Sequence, residues 1–268
     1  MNNQLNQEGW DKIAERYQKK YVISLVDVHY GPFAPGEKEE CLLGNVQGKK
    51  VLELGCGGGQ NAIVLAKWGA NVTGVDQSAR QLDHAHKIAS QEGVIIRFLR
   101  ANVETIPELE DNYFDLILSS HALNYVEDIQ AVFQECRRLL EPSGKLVICL
   151  SHPISNLVWE PLEVDDFSLL QRADYFKKTV EWDWDFPDGT TIPFESRNWT
   201  LEDIINGLLS AGFRLERVRE PRGYSNADMS TNKLNRIPYR WDIQEAQKFI
   251  DLNLRFPYSL IVVARKES

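Results

Sequence analysis

Between residues 51 and 151 short apolar runs alternate with amphipathic stretches, and no other feature constrains the fold as tightly. VLELG (51–55), NVTGVD (71–76), IIRFLRAN (95–102), FDLILSS (114–120) and KLVICLS (145–151) read as strands. Residues 62–68, 78–90 and 129–140 carry helical spacing, and Ser78 is placed to cap the second of these. Strands alternating with helices imply parallel βαβ units, so the expected class is α/β.

Outside that stretch the pattern changes. Trp10, Ile13, Ala14, Tyr17 and Tyr21 recur at three- and four-residue steps, which predicts an amphipathic helix over 7–21, and a second helical stretch covers 37–44. After residue 151 the alternation stops. WDWDF, PDGT and TIPF suggest a hairpin with Trp182, Trp184 and Phe186 on one face and Asp183 and Asp185 on a solvated one. Thr200 and Asp203 can cap a helix ended by Gly212. FRLERVRE (213–220) and YSLIVVAR (258–265) then supply a sixth and a seventh strand, with a helix near 242–250 between them.

Composition narrows the function classes. A chain of 268 residues with 43% hydrophobic content can build one large core, which excludes wholesale disorder. Its net charge of -9 argues against a nucleic-acid substrate, whose affinity rests on basic contacts. Cys41, Cys56, Cys136 and Cys149 form no C-x-x-C pair, so neither a zinc site nor a disulfide framework is expected, and no other metal is. That cysteine usage, the lack of a signal-like apolar core in MNNQLNQEGWDKIAERYQKK and the lack of a membrane-length apolar run predict a cytoplasmic protein without membrane association.

The sharpest local signal is Glu53-Leu54-Gly55-Cys56-Gly57-Gly58-Gly59-Gln60, which leaves one strand and opens a helix. Glycines there permit a tight turn and close approach of a ligand beyond the strand ends. Asp76 ends the next strand, where a carboxylate can accept both hydroxyls of a ribose or simply form a turn. A dinucleotide loop of the G-x-G-x-x-G kind would need glycine at position 60, where this chain has Gln60, which argues against a nicotinamide oxidoreductase.

The loop matches instead the E/D-x-G-x-G-x-G motif, and with it the chain resembles the class I S-adenosylmethionine-dependent methyltransferases over about residues 46–151. FDLILSSHALNYVED resembles that family's fourth-strand motif, and LLEPSGKLVI its L-x-P-G-G turn with Ser143 in place of the first glycine. Trp10, Asp11, Ala14 and Tyr17 resemble its N-terminal lid helix. The resemblance implies a Rossmann-like, seven-stranded, mostly parallel sheet with helices on both faces, an N-terminal helical lid and an inserted cap after the fifth strand. It implies a single domain over 1–268, divided into a lid (1–45), a cofactor-binding core (46–151), an acceptor-site cap (152–199) and the C-terminal part of the sheet (200–268).

It also implies S-adenosylmethionine as cofactor. Glu53, Gly55, Cys56, Gly57 and Gly59 would surround it, Asp76 would take the ribose, and Gln77, Asn102 and Val103 would flank the adenine. Ser119 would lie near the methionine portion, with Tyr21 reaching in from the lid. Asn102 departs from the family's usual Asp, yet its carbonyl oxygen still accepts a hydrogen bond.

Transfer of a methyl group needs position and, for some acceptors, loss of a proton. The catalytic candidates are His152, directly after the fifth strand, His121, and Tyr17 on the lid helix. His152 reads equally as a loop cap, His121 as a pocket-shaping residue, and His29 as part of a lid or of a plain turn before Gly31-Pro32. Trp159, Trp182, Trp184 and Trp199 can wall a pocket for an aromatic or amine acceptor, or simply pack the cap. The expected activity is therefore methylation of an N or O atom of a small molecule. Action on tRNA or another macromolecule, and cofactor binding without turnover, are the alternatives; monomer and homodimer stay equally open.

Overall fold

In the computed structural model, residues 3–158, 174–225, 228 and 236–267 are described. Helix α1 (Asn3–Lys20) leads to the two-residue strand β1 (Val22–Ile23) and the short helix α2 (Glu37–Glu40). Then come β2 (Lys50–Leu54), α3 (Gln60–Lys67), β3 (Asn71–Asp76), α4 (Ala79–Gln91), β4 (Arg97–Arg100) and β5 (Phe114–Ser120). A 3-10 turn (Leu123–Tyr125), α5 (Ile129–Leu139), β6 (Leu140–Ser151) and α6 (Ser155–Val158) follow. The hairpin strands β7 (Thr179–Asp185) and β8 (Thr191–Arg197) precede α7 (Leu201–Ser210), β9 (Phe213–Arg219), β10 (Tyr239–Arg240), α8 (Ile243–Asn253) and β11 (Ser259–Lys266).

The main sheet has seven strands in the order β4-β3-β2-β5-β6-β11-β9. β4, β3, β2, β5 and β6 run parallel, whereas β11 is antiparallel to both β6 and β9. This is the mostly parallel α/β sheet expected from the sequence. Its strands read as continuous apolar runs because both faces are covered. Leu52, Ile117, Leu146, Ile148 and Val262 pack on one face with α5 and α7, while Val51, Leu116, Leu118, Val147 and Ile261 pack on the other with α3.

The predicted caps form. Ser78 Oγ accepts from Gln81 N–H, and Thr200 and Asp203 make a reciprocal capping box. Boundaries shift where a side chain or a bulge intervenes. The helix expected over 37–44 stops at Glu40, because the Glu37 carboxylate accepts from Leu42 N–H and Leu43 N–H and pulls the chain off the helical path. β6 begins at Leu140 rather than 145, its pairing with β5 interrupted by a register shift, and Ser143 adopts a left-handed φ of 62°.

Helix α1 lies against the hairpin and α4. Asn6 pairs with Glu195 through both its amide groups, and Arg16 pairs with Asp188 at 2.8 Å. Asp11 accepts from Ser78 Oγ at 2.6 Å. Among the described residues, no helix is long and apolar enough to cross a membrane.

Candidate functional site

β2 delivers the chain into the glycine loop at the carboxyl edge of the sheet, where an α/β fold opens its ligand crevice. The close packing of that loop demands glycine at one position above all: a Cβ on Gly55, whose φ is 66°, would lie 2.1 Å from the Ala122 Cβ. Asp76 Oδ2 accepts from Gly57 N–H and Oδ1 from Ser78 N–H, each at 2.8 Å. The carboxylate therefore forms the turn into α4 and braces the glycine loop while also lining the cavity. Burial raises its pKa, and the Ser78 and Gly57 amides offset only part of that rise.

The cavity bounded by these groups encloses about 990 Å³ of free space, counting its open mouth. Glu53 is buried in its lining. Its Oε2 is buried without a hydrogen-bond partner, as is the neighbouring Asn61 Nδ2. Burial pushes the Glu53 carboxyl up to about 8, and the nearby Asp76 carboxylate adds to the rise. The Asn61 side chain and the Ala62 N–H offset part of that rise, and the one carboxyl oxygen left without a partner is costly until a donor or a cation meets it. The set fits S-adenosylmethionine, whose cationic end would satisfy Glu53 and whose ribose hydroxyls would find the remaining lone pairs of Asp76.

Of the residues singled out in the sequence, the structure brings Glu53, Gly55, Cys56, Gly57, Asp76, Gln77, Asn102, Val103, His121 and Tyr17 to this one cavity. The Asn102 carbonyl oxygen already accepts from Glu104 N–H at 3.0 Å, so it is held in a turn as well as facing the site. His121 has a positive φ of 57°, a strained position of the kind found at functional sites. Its Nε2 lies 3.0 Å from Ser259 Oγ, its ring stacks on Tyr258, and burial pushes its pKa down to about 4. Tyr17 Oη and Tyr239 Oη share a hydrogen bond of 2.6 Å, and burial raises the pKa of both phenols.

Other residues singled out in the sequence lie away from this cavity. His152 does not line the cavity; its Nδ1 accepts from Ile154 N–H, and its Nε2 lies 2.8 Å from Glu220 Oε1. It caps a loop, the alternative open in the sequence. Ser119 is buried and donates to the Leu54 carbonyl, so the next residue, Ser120, faces the cavity instead. Tyr21 packs among Tyr17, Trp184, Tyr239 and Trp241 rather than lining the site. Gly59 lies behind the loop, packed toward Ala85 and Phe98, and Gly58 takes the cavity face.

The tryptophans also part ways. Trp199 is a core residue donating to the Leu123 carbonyl, and Trp182 stacks on Phe194. Trp184 reaches Tyr17 and Trp10 from behind, and Trp159 lies outside the described residues. The aromatic wall of the cavity is Trp10, Tyr17, Tyr125 and Tyr239.

Asn61, Ser120, Tyr125 and Tyr239 line the cavity without having been singled out from the sequence. Asn61 had a usable signal, the first turn of the helix that follows the glycine loop. Tyr239 had none, since it reaches the site through the two-residue pairing of β10 with β1.

Residues 52–148 match the family model of a methyltransferase domain. The chain is 30% identical over 235 residues to a Haemophilus influenzae protein of uncharacterized function, covering 82% of this chain and 88% of that one. A ubiquinone biosynthesis O-methyltransferase of Actinobacillus pleuropneumoniae is 39% identical over 103 residues, which span 37% of this chain and 44% of the relative. The fold is similar to that of an S-adenosylmethionine-dependent methyltransferase from Mesorhizobium loti, with a TM-score of 0.59 at 23% identity, covering 85% of this chain and 95% of the other.

Proposed function

We propose that this chain, whose residues 52–148 match the methyltransferase-domain family, is a class I S-adenosylmethionine-dependent methyltransferase that methylates an N or O atom of a small-molecule acceptor. The observation that carries this reading is that two sets of residues line the one cavity, which we assign to its two ends. One holds Glu53, Asp76 and the glycine loop; the other is walled by Trp10, Tyr17, Tyr125 and Tyr239. A concave site of that kind, mostly apolar with a few convergent polar groups, suits a small molecule. Among the described residues no Lys or Arg lines it, which does not favour a polyphosphate backbone as substrate.

When bound, S-adenosylmethionine supplies a methyl group on a sulfonium, open to in-line displacement by a nucleophilic heteroatom. The residues of this chain bind and orient. Asp76 holds the ribose, Gly55, Cys56 and Gly57 allow close backbone approach, and Glu53 meets the cationic end. Gln77, Asn102 and Val103 flank the base. Helix α1 and the hairpin serve as lid and cap that exclude water, and the aromatic wall fixes the acceptor in line, so that catalysis rests on proximity. His121 and Tyr17 are uncharged at neutral pH and shape the wall.

Some support for a small aromatic acceptor comes from the partial likeness to ubiquinone biosynthesis O-methyltransferases. The test is turnover of radiolabelled S-adenosylmethionine against a panel of phenols, catechols and amines, with bulk tRNA as a further arm. Label transfer to a panel compound supports the reading. Transfer to tRNA alone, with a steep salt dependence, overturns it.

A further inference from the structure

We propose that His29 determines acceptor specificity, its imidazole Nε2–H donating a hydrogen bond to an oxygen or unprotonated nitrogen of the acceptor beside the Tyr17–Tyr239 hydroxyl pair. This rests on the small-molecule reading above.

Both backbone polar groups of His29 are tied down, one to α3 and one to the end of β5. Its N–H donates to Asn61 Oδ1 at 3.0 Å, and its carbonyl accepts from Ser120 Oγ at 3.1 Å. The following turn is held close by Gly31, where a Cβ would lie 2.4 Å from Ser259 Oγ and 2.5 Å from His121 Nε2. The His29 ring lines the cavity and meets the Tyr239 ring edge-on, with centroids 5.1 Å apart.

Nδ1 turns back to accept from Gly31 N–H at 3.4 Å, which places the proton of the neutral ring on Nε2. Among the described residues Nε2 has no hydrogen-bond partner. Burial, with His121 alongside, pushes the His29 pKa down to about 3, so the ring stays uncharged at neutral pH. It therefore offers a donor without offering a charge. At Nε2 an ammonium group would meet a donor instead of an acceptor, and a carboxylate would gain no ion pair.

His29, Tyr17 and Tyr239 all lie outside residues 52–148, the part matched by the methyltransferase family model. Recognition of one acceptor over another is expected from such segments, because the matched part serves a common cofactor. The three residues meet in one cluster at the cavity wall, His29 against the Tyr239 ring and Tyr239 bonded to Tyr17, and this cluster is the acceptor side under the reading above.

The test uses the full chain saturated with S-adenosylhomocysteine, with phenol as the probe and toluene as its isosteric control. Calorimetry is run on the wild type, His29→Phe and His29→Gln, with melting curves to confirm folding. Loss of one donor is expected to weaken phenol binding about tenfold in His29→Phe, with recovery to within about threefold in His29→Gln. Toluene and S-adenosylhomocysteine should bind all three alike. In the wild type, the His29 Nε2 resonance should shift on adding phenol and not toluene, a readout that needs no variant.

Equal phenol affinity in the wild type and His29→Phe overturns the proposal, as does an equal loss for toluene. A fall in S-adenosylhomocysteine affinity also overturns it, by moving the contact to the cofactor. Wild type that binds S-adenosylhomocysteine but not phenol overturns it too. Failure of the wild type to bind S-adenosylhomocysteine overturns instead the reading on which it rests.

Discussion

The two ends of the cavity are built in different ways. The cofactor end is made at consecutive strand ends, where β2, β3 and β5 stop side by side and short backbone contacts set the shape. The aromatic end is assembled from parts far apart in the chain: Trp10 and Tyr17 on α1, His29 in a loop, Tyr125 in a 3-10 turn and Tyr239 on β10. The first is fixed by the sheet itself. The second depends on side-chain contacts between elements that the sheet does not align, so it can change from one relative to another while the cofactor end is kept.

That contrast yields predictions in order of size. Asp76→Ala removes a ligand for the ribose and the brace on Gly57 together. With charged hydrogen bonds worth roughly 1.5–3 kcal/mol each, S-adenosylhomocysteine affinity should fall about a hundredfold by calorimetry. An unchanged affinity would break the assignment of this end.

Trp10→Ala strikes the other end. Trp10 makes edge-to-face contacts with Tyr17, Tyr125, Trp184 and Phe194. Its truncation should cost about 2 kcal/mol, below the roughly 3–5 kcal/mol of a fully buried aromatic. Hydrogen exchange should speed up in α1 and the hairpin while β2, β3 and β5 keep their protection. Uniform loss of protection would show that the two ends are one cooperative unit.

Glu53→Gln tests the cofactor end more finely. The Glu53 carboxyl, raised to about 8 by burial, is mostly protonated at pH 7 and must ionise to meet a cation. Binding of S-adenosylmethionine should therefore release protons at pH 7, and affinity should rise with pH until about 8 and then level off. Calorimetry in buffers of different ionisation heat reads the release. Glu53→Gln should abolish it and lower affinity about tenfold.

The smallest effect concerns neither end. Ser143 holds a φ of 62° in the bulge of β6, a conformation that costs a non-glycine residue about 1 kcal/mol. Ser143→Gly should raise stability by roughly 0.5 kcal/mol once the greater chain entropy of glycine is counted, read as a shift in the urea midpoint.

The same contrast explains what the sequence could disclose. Strands, caps and the glycine loop are written in local pattern, so the α/β sheet, the Ser78 and Thr200 caps, and Glu53 and Asp76 were legible. Sites set by parity or by distant partners were not. Ser119 and Ser120 are neighbours on one strand, and only the pleat decides which faces the cavity. His152 is drawn off by Glu220, a residue on a different strand's end. Tyr239 enters the site through a pairing of residues 22–23 with 239–240, for which no periodicity gives notice.

The most direct test is a crystal structure with S-adenosylhomocysteine. The expected result is a ribose diol on the Asp76 carboxylate, a homocysteine ammonium on Glu53, and a sulfur facing Trp10, Tyr17 and Tyr239. A bound adenosyl group elsewhere, with Asp76 still joined only to Gly57 and Ser78, would contradict the account.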